Sequence, residues 1–140
     1  MTVMTNQTET NMAIEAAAMA RMAEGDGSAW VEAMADDIAW RQMGSAHFAK
    51  AYEGKEVLLG QLFRPLMKQY AGRYTNTPVN IFADGDTVIV EARGAVITKA
   101  GLPYNNCYCM VMQMRDGKIA EVREYLDTAL ANVCLDATHL

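Results

Sequence analysis

Hydrophobic and polar positions along the chain change period several times, and each change predicts an element. From Met12 to Glu24, Ile14, Ala17, Ala18 and Met22 recur at helical spacing, with Asn11 placed to cap the start and Gly25 the end. After GDG, Ser28 can open a short second helix carrying Trp30, Val31 and Met34. The stretch DDIAWRQMG then alternates, which predicts a strand with Trp40 and Gln42 on one face. SAHFAKAYEG reads as an aromatic-containing loop. EGKEVLLGQLFRPLMKQYAG reads as a third helix, with Val57, Leu58, Leu62, Leu66 and Met67 as its apolar set. Pro65 lies inside it and should bend it or shift its hydrogen bonding, because proline has no N–H and crowds the preceding turn.

The second half is β-patterned. Residues 73–83, 86–98, 104–115 and 118–127 favour strands, separated by ADGD, KAGLP and RDGK. Asp116-Gly117 is a two-residue hairpin turn, since a type I′ turn requires positive φ at both central positions. Asp127 is placed to cap a closing helix, TALANVCL. The order α-α-β-α followed by a meander predicts an α+β fold with helices on one face of a curved sheet. The expected organisation is a polar, frayed segment over 1–11, one domain over 12–136 and a short tail over 137–140.

Composition narrows the partners. A chain of 140 residues, 51% hydrophobic, can bury one core. Its net charge of −5, with no cluster of Lys or Arg, argues against nucleic acid and anionic membranes as partners. No apolar run reaches the roughly 20 residues needed to span a bilayer, and the first residues lack the basic start of a secretory signal. A cytoplasmic protein is therefore expected. Cys107, Cys109 and Cys134 form neither a CxxC pair nor a zinc pattern, and read as buried free thiols in a reducing cytoplasm.

Candidate chemistry rests on the final strand. In GKIAEVREYLDT, alternation groups Ala120, Val122, Glu124 and Leu126 on one face, so a carboxylate interrupts an apolar row. A buried carboxylate loses hydration unless it is paired or neutral, and that cost makes Glu124 the leading candidate for a base. No nucleophilic triad, phosphate loop or metal-ligand set accompanies it, so the chemistry expected is cofactor-free proton transfer. His47 sits in the loop before the third helix, where it could act as an acid or base. His139 lies beside the terminus and is set aside.

Three features together, GD after helix one, AYEGKE opening the third helix, and YNNCYCMVMQMRDGKIAEVREYLDT at the end, resemble the SnoaL-like branch of the nuclear transport factor 2-like superfamily. The resemblance covers nearly the whole chain. It implies a cystatin-like α+β roll: a cone-shaped, curved, mixed or antiparallel sheet wrapped by three to four helices around a deep, mostly apolar pocket. It also implies a small hydrophobic or weakly polar ligand and a homodimer paired through the outer sheet face. The superfamily includes ketosteroid isomerases, limonene epoxide hydrolases, polyketide cyclases, dehydratases and noncatalytic members, so residues must decide the activity.

Ketosteroid isomerase chemistry needs two aspartates and a tyrosine, where this chain has Arg41 or Gln42, Cys109 or Met110, and Ala18. That mechanism is rejected. The limonene epoxide hydrolase pattern places its acid, base and bridging arginine at Ala95, Glu124 and Arg93, and its water-holding pair at Trp40 and Gln42. Base and arginine are kept and the acid is lost, with Tyr108 as the conceivable replacement donor. This pairing turns Ala120, Val122 and Glu124 toward the pocket with Asn106, Tyr108, Met110 and Met112, and gives Glu91, Arg93 and Ala95 the inward parity on the neighbouring strand. Ile119, Arg123, Tyr125, Cys107 and Val111 then face outward. The expected catalytic set is Glu124, Arg93 and Tyr108. The expected substrate contacts are Trp40, Gln42, His47, Glu91, Asn106, Met110, Met112 and Val122. The reaction expected is isomerisation, cyclisation, dehydration or epoxide opening. The alternative is a noncatalytic ligand-binding or dimerisation domain.

Overall fold

The computed structural model describes residues 2–136, with side chains from Gln7 onward. His139 and the rest of 137–140 lie outside the described residues. The chain forms α1 (Thr2–Ala23), α2 (Ser28–Ala33), β1 (Met34–Gln42), β2 (Ala51–Glu53), α3 (Lys55–Leu58), a π-helical turn (Leu59–Phe63) and α4 (Arg64–Gln69). There follow β3 (Thr75–Asp84), β4 (Thr87–Ala95), β5 (Cys107–Arg115), β6 (Lys118–Leu126) and α5 (Thr128–Cys134). The six strands make one sheet in the order β2-β1-β6-β5-β4-β3. All neighbours are antiparallel except β1 and β6, which run parallel.

That parallel pair departs from a simple meander, and it positions the site. It brings the first strand beside the last, with Trp40 opposite Val122 and Gln42 opposite Glu124. The hairpin joining β5 and β6 turns at Asp116-Gly117 with φ of 52° and 77°, as the type I′ geometry requires. A bulge follows it. Gln113 pairs with Glu121 but Met114 pairs with Ile119, which leaves Ala120 unpaired and reverses the parity of the residues before it. Ile119 therefore points into the core, fully buried, instead of outward, and Ala120 leaves the inward row.

Helix α1 begins well before Met12, so Asn11 is an interior residue and not a cap. The turn after β3 anchors this part of the helix: Asn11 Nδ2 donates to the Gly85 carbonyl at 2.9 Å, and the Gly85 N–H donates to Thr8 Oγ1 at 2.9 Å. Pro65 acts through a shift in bonding. Ahead of it the helix adopts the π turn, in which the Arg64 N–H reaches the Leu59 carbonyl, so the missing proline donor is absorbed without breaking the helix. Asp127 caps α5 through Oδ1, which accepts from the Leu130 N–H at 3.1 Å.

Helix α1 packs across β3 and β4, and α3 packs against β1 and β2. The main core lies between these helices and the inner sheet face, where Met34, Ile38, Leu58, Val88, Val90, Met112 and Ile119 are buried. Its methionines conform to the curved surface as unbranched, deformable fillers.

Candidate active site

The inner face encloses a cavity of about 500 Å³, lined by residues from α2, β1, the π turn, α4 and strands β3, β5 and β6. Among its lining residues Glu124 alone is acidic. The side chain is 8% exposed, with Gln42 beside it on β1 and Met110 on β5. Gln42 Nε2 donates to Glu124 Oε1 at 3.0 Å, while Gln42 Oε1 is buried without a partner among the described residues. Burial pushes the Glu124 carboxyl up from 4.5 to about 7, against the opposing pull of the Gln42 hydrogen bond. The Trp40 indole N–H also favours the charged form, although it falls short of hydrogen-bond geometry and is otherwise unpartnered. Tyr52, paired with Trp40 on β2, has its phenol held above its usual range by burial and then by the nearby Glu124 charge.

Four tyrosines gather nearby. Tyr70 stacks on Tyr74 with ring centroids 5.3 Å apart, and Tyr104 lies 6.3 Å from Tyr70. Tyr108 and the other three are all pushed up by burial, so their hydroxyls stay protonated and serve as hydrogen-bond donors. Gly94 makes this packing possible. A Cβ there would fall 2.9 Å from Tyr108 Cε2 and 3.1 Å from the Tyr74 hydroxyl. Asn76, opposite Gly94 on β3, lines the cavity with a buried Oδ1 that has no partner among the described residues.

The structure brings Glu124, Tyr108, Trp40, Gln42 and Met110 to the cavity and leaves the other expected residues elsewhere. Arg93 and Glu91 are exposed on the outer sheet face, in register with Cys107 and Cys109, so of the three thiols expected to be buried only Cys134 is, Cys107 being exposed and Cys109 half-buried. Glu91 Oε1 accepts there from Asn80 Nδ2 at 3.0 Å, and Ala95 is exposed on the same side. The inward residues of β4 are Val88, Val90, Ala92 and Gly94, one position off the expected set. Elementary energetics gives the reason: inward parity would bury two charges where outward parity leaves both in water. Arg93 is thus no partner of Glu124.

Asn106 is 1% exposed and uses its whole amide on the protein. Nδ2 donates to Tyr104 Oη at 3.1 Å and to the Asp127 carbonyl at 3.0 Å, while Oδ1 accepts from the N–H groups of Cys107 and Asp127. It clasps the start of β5 to the end of β6 and has nothing left for a ligand. Met112 and Val122 belong to the packed core. His47 is exposed, and it is the next residue, Phe48, that turns inward to line the cavity.

Sequence reasoning did not find Trp30, Phe48, Phe63, Tyr70, Tyr74, Asn76 or Tyr104 as cavity residues. The aromatic content of the loop after β1 and of QYAGRY was the available signal.

An open curved six-stranded sheet with helices on its inner face, bordering a largely apolar cavity that holds one buried carboxyl, is the architecture of the nuclear transport factor 2-like superfamily. The chain belongs to the SnoaL-like domain family, whose sequence profile matches residues 16–122 and ends just short of Glu124. It is 31% identical over 110 residues to the uncharacterized protein YesE of Bacillus subtilis (strain 168), covering 76% of this chain and 74% of that protein. Among solved structures it is similar to a Bacillus subtilis protein described provisionally as an isomerase, with TM-score 0.73 and 25% identity over 92% of this chain and 94% of the other. It is also similar in fold to a Jannaschia sp. CCS1 protein described provisionally as a SnoaL-like polyketide cyclase, with TM-score 0.74 and 18% identity over 91% and 92% of the two chains. Among the described residues, no helix is long and apolar enough to cross a membrane.

Proposed function

We propose that the protein is a cofactor-independent acid/base enzyme that moves a proton on a small, largely apolar substrate, with Glu124 as the base. The observation that carries this reading is the Glu124 carboxyl inside the aromatic cavity, poised at about 7 and bonded to the neutral Gln42 amide. A base matched to neutral pH in a dry site is what proton abstraction beside a carbonyl needs.

In this reading Glu124 removes a proton from a carbon next to a carbonyl, and the electron pair of that C–H bond passes to the carbonyl oxygen. The Trp40 N–H and the phenol hydroxyls supply donors to the developing oxyanion, an electrostatic role that grows as the charge develops. The protonated carboxyl then returns its proton at another carbon, or the enolate carbon attacks a second carbonyl within the substrate, whose π pair moves to its oxygen, and the carboxyl returns its proton to the alkoxide so formed. Both outcomes need one carboxyl, which favours isomerisation or cyclisation. Epoxide opening asks for an acid and a base at the same moment. The tyrosines are poor acids, because burial holds their protons more tightly. The provisional descriptions of the two structural neighbours, isomerase and polyketide cyclase, support the same pair of reactions.

A generic proton-abstraction probe tests this directly. The aromatic 5-nitrobenzisoxazole opens when a base removes one proton, and the wild-type protein should accelerate that opening with a rate that rises through pH 7 to a plateau. Glu124→Gln should lower the rate about 100-fold or more while the fold is kept. An unchanged rate overturns the assignment.

Assembly follows the same reading. Phe82, Ile89, Val111 and Tyr125 place apolar surface on the outer sheet face, which supports a homodimer formed there. Sedimentation of wild type and Phe82→Glu tests it: a dimer that the substitution dissociates is expected, and a wild-type monomer contradicts it.

A further inference from the structure

A second buried carboxyl lies outside the chemistry above. Glu15, on α1, has no exposed surface. Its Oε1 accepts the Trp30 indole N–H at 3.1 Å, and Oε2 has no partner among the described residues. The indole it holds is part of the cavity wall. Trp30 meets Trp40 edge to face at 5.3 Å and 82°, and lies nearly parallel to Phe63 at 6.4 Å and 23°. Trp40 in turn meets Phe63 at 5.3 Å and 89°. These three rings interlock, so the angle of Trp30 constrains Trp40, the inward neighbour of Gln42 and Glu124 along the β1–β6 pair.

A buried indole N–H is costly to leave without an acceptor, and a backbone carbonyl would supply one without burying an ionisable group. Here the acceptor is a carboxyl at the end of a side chain, reaching from the helix behind the wall. We propose that Glu15 is a positioning residue of the pocket: by holding the Trp30 indole it sets the Trp30–Trp40–Phe63 wall, and so the shape of the space a ligand enters. The proposal rests on the cavity being the ligand site, but its first test needs neither ligand nor turnover.

In ¹⁵N-labelled protein, solvent exchange of the Trp30 indole N–H reports the bond. Glu15→Met removes the acceptor at similar size and should speed exchange about tenfold, the equivalent of one hydrogen bond, whereas Glu15→Gln retains an oxygen acceptor and should stay near wild type. Unchanged exchange in Glu15→Met overturns the proposal. The second readout is affinity for the amphiphilic fluorophore 1-anilinonaphthalene-8-sulfonate, whose aromatic rings seek apolar cavities while its sulfonate stays toward water. Glu15→Met should weaken it about five- to tenfold and Glu15→Gln should restore it. Faster exchange with unchanged affinity also overturns the proposal, since the wall would then hold without Glu15. Should Glu15→Met not fold, Trp30→Phe removes the donor instead, and full retention of affinity in it contradicts the role. Glu124→Gln is the discriminating control: it should abolish probe chemistry with Trp30 exchange unaltered, which separates failure of the base from failure of the wall.

Discussion

Glu15 and Glu124 share three properties and differ in one. Each is a buried carboxyl, each accepts one side-chain N–H, and burial raises each to about 7. Glu124 lines the cavity, whereas Glu15 stands behind its wall with an indole between it and the open space. A raised carboxyl thus marks burial and does not by itself mark a reagent. Access to the space where a substrate fits separates a base from a positioning group.

The largest expected effect falls on that distinction. Glu124→Gln should cost about 100-fold or more in opening of 5-nitrobenzisoxazole, while Glu15→Gln, which keeps an acceptor for Trp30, should cost only a few-fold. Equal losses would erase the difference between the two sites.

Stability against pH should instead show their likeness. For each group the folded state binds its proton more tightly than the unfolded chain, so stability falls as pH rises from about 4.5 to about 7 and levels off above it. Chemical denaturation across this window should show that fall, amounting to about 3 kcal/mol for each group and about 7 kcal/mol for the two together at most. Either Glu→Gln substitution should flatten it. Curves in both variants as steep as that of wild type would mean that neither carboxyl is shifted.

Gln42→Leu sharpens the contrast further. Removing the amide takes away a bond that favours the charged form of Glu124, so the midpoint of the pH–rate profile should move to higher pH and the rate at pH 7 should drop. Exchange of the Trp30 indole should not change. The smallest effect is expected at Arg93→Ala, on the outer face: probe turnover as in wild type and stability within about 0.5 kcal/mol.

Local signals carried much of the fold. Asp116-Gly117 set the last hairpin, helical spacing from Ile14 to Met22 located α1, and the apolar row around Glu124 turned that carboxyl inward. Two sites were lost through a single-residue offset. The bulge at Ala120 reversed Ile119, and a bulge leaves no trace in alternation alone. On β4, matching to a relative's catalytic pattern drew Glu91 and Arg93 inward, although their charges favoured the opposite parity. Trp40 and Gln42 were recognised as pocket positions through the resemblance, but their bonding partner was not, because it depends on the parallel pairing of β1 with β6 across most of the chain. Glu15 was missed for a different reason. One acidic residue in an Ala-rich helix reads as solvated until the packing of Trp30 over it is known.

Titration of the two carboxyl carbons by ¹³C NMR, assigned by their loss in Glu124→Gln and Glu15→Gln, tests the base assignment most directly. The Glu124 resonance should titrate near 7, coincide with the midpoint of the probe's pH–rate profile, and shift when an apolar ligand fills the cavity. A Glu124 midpoint near the ordinary 4.5, or a rate profile that does not follow it, would contradict the role assigned to this residue.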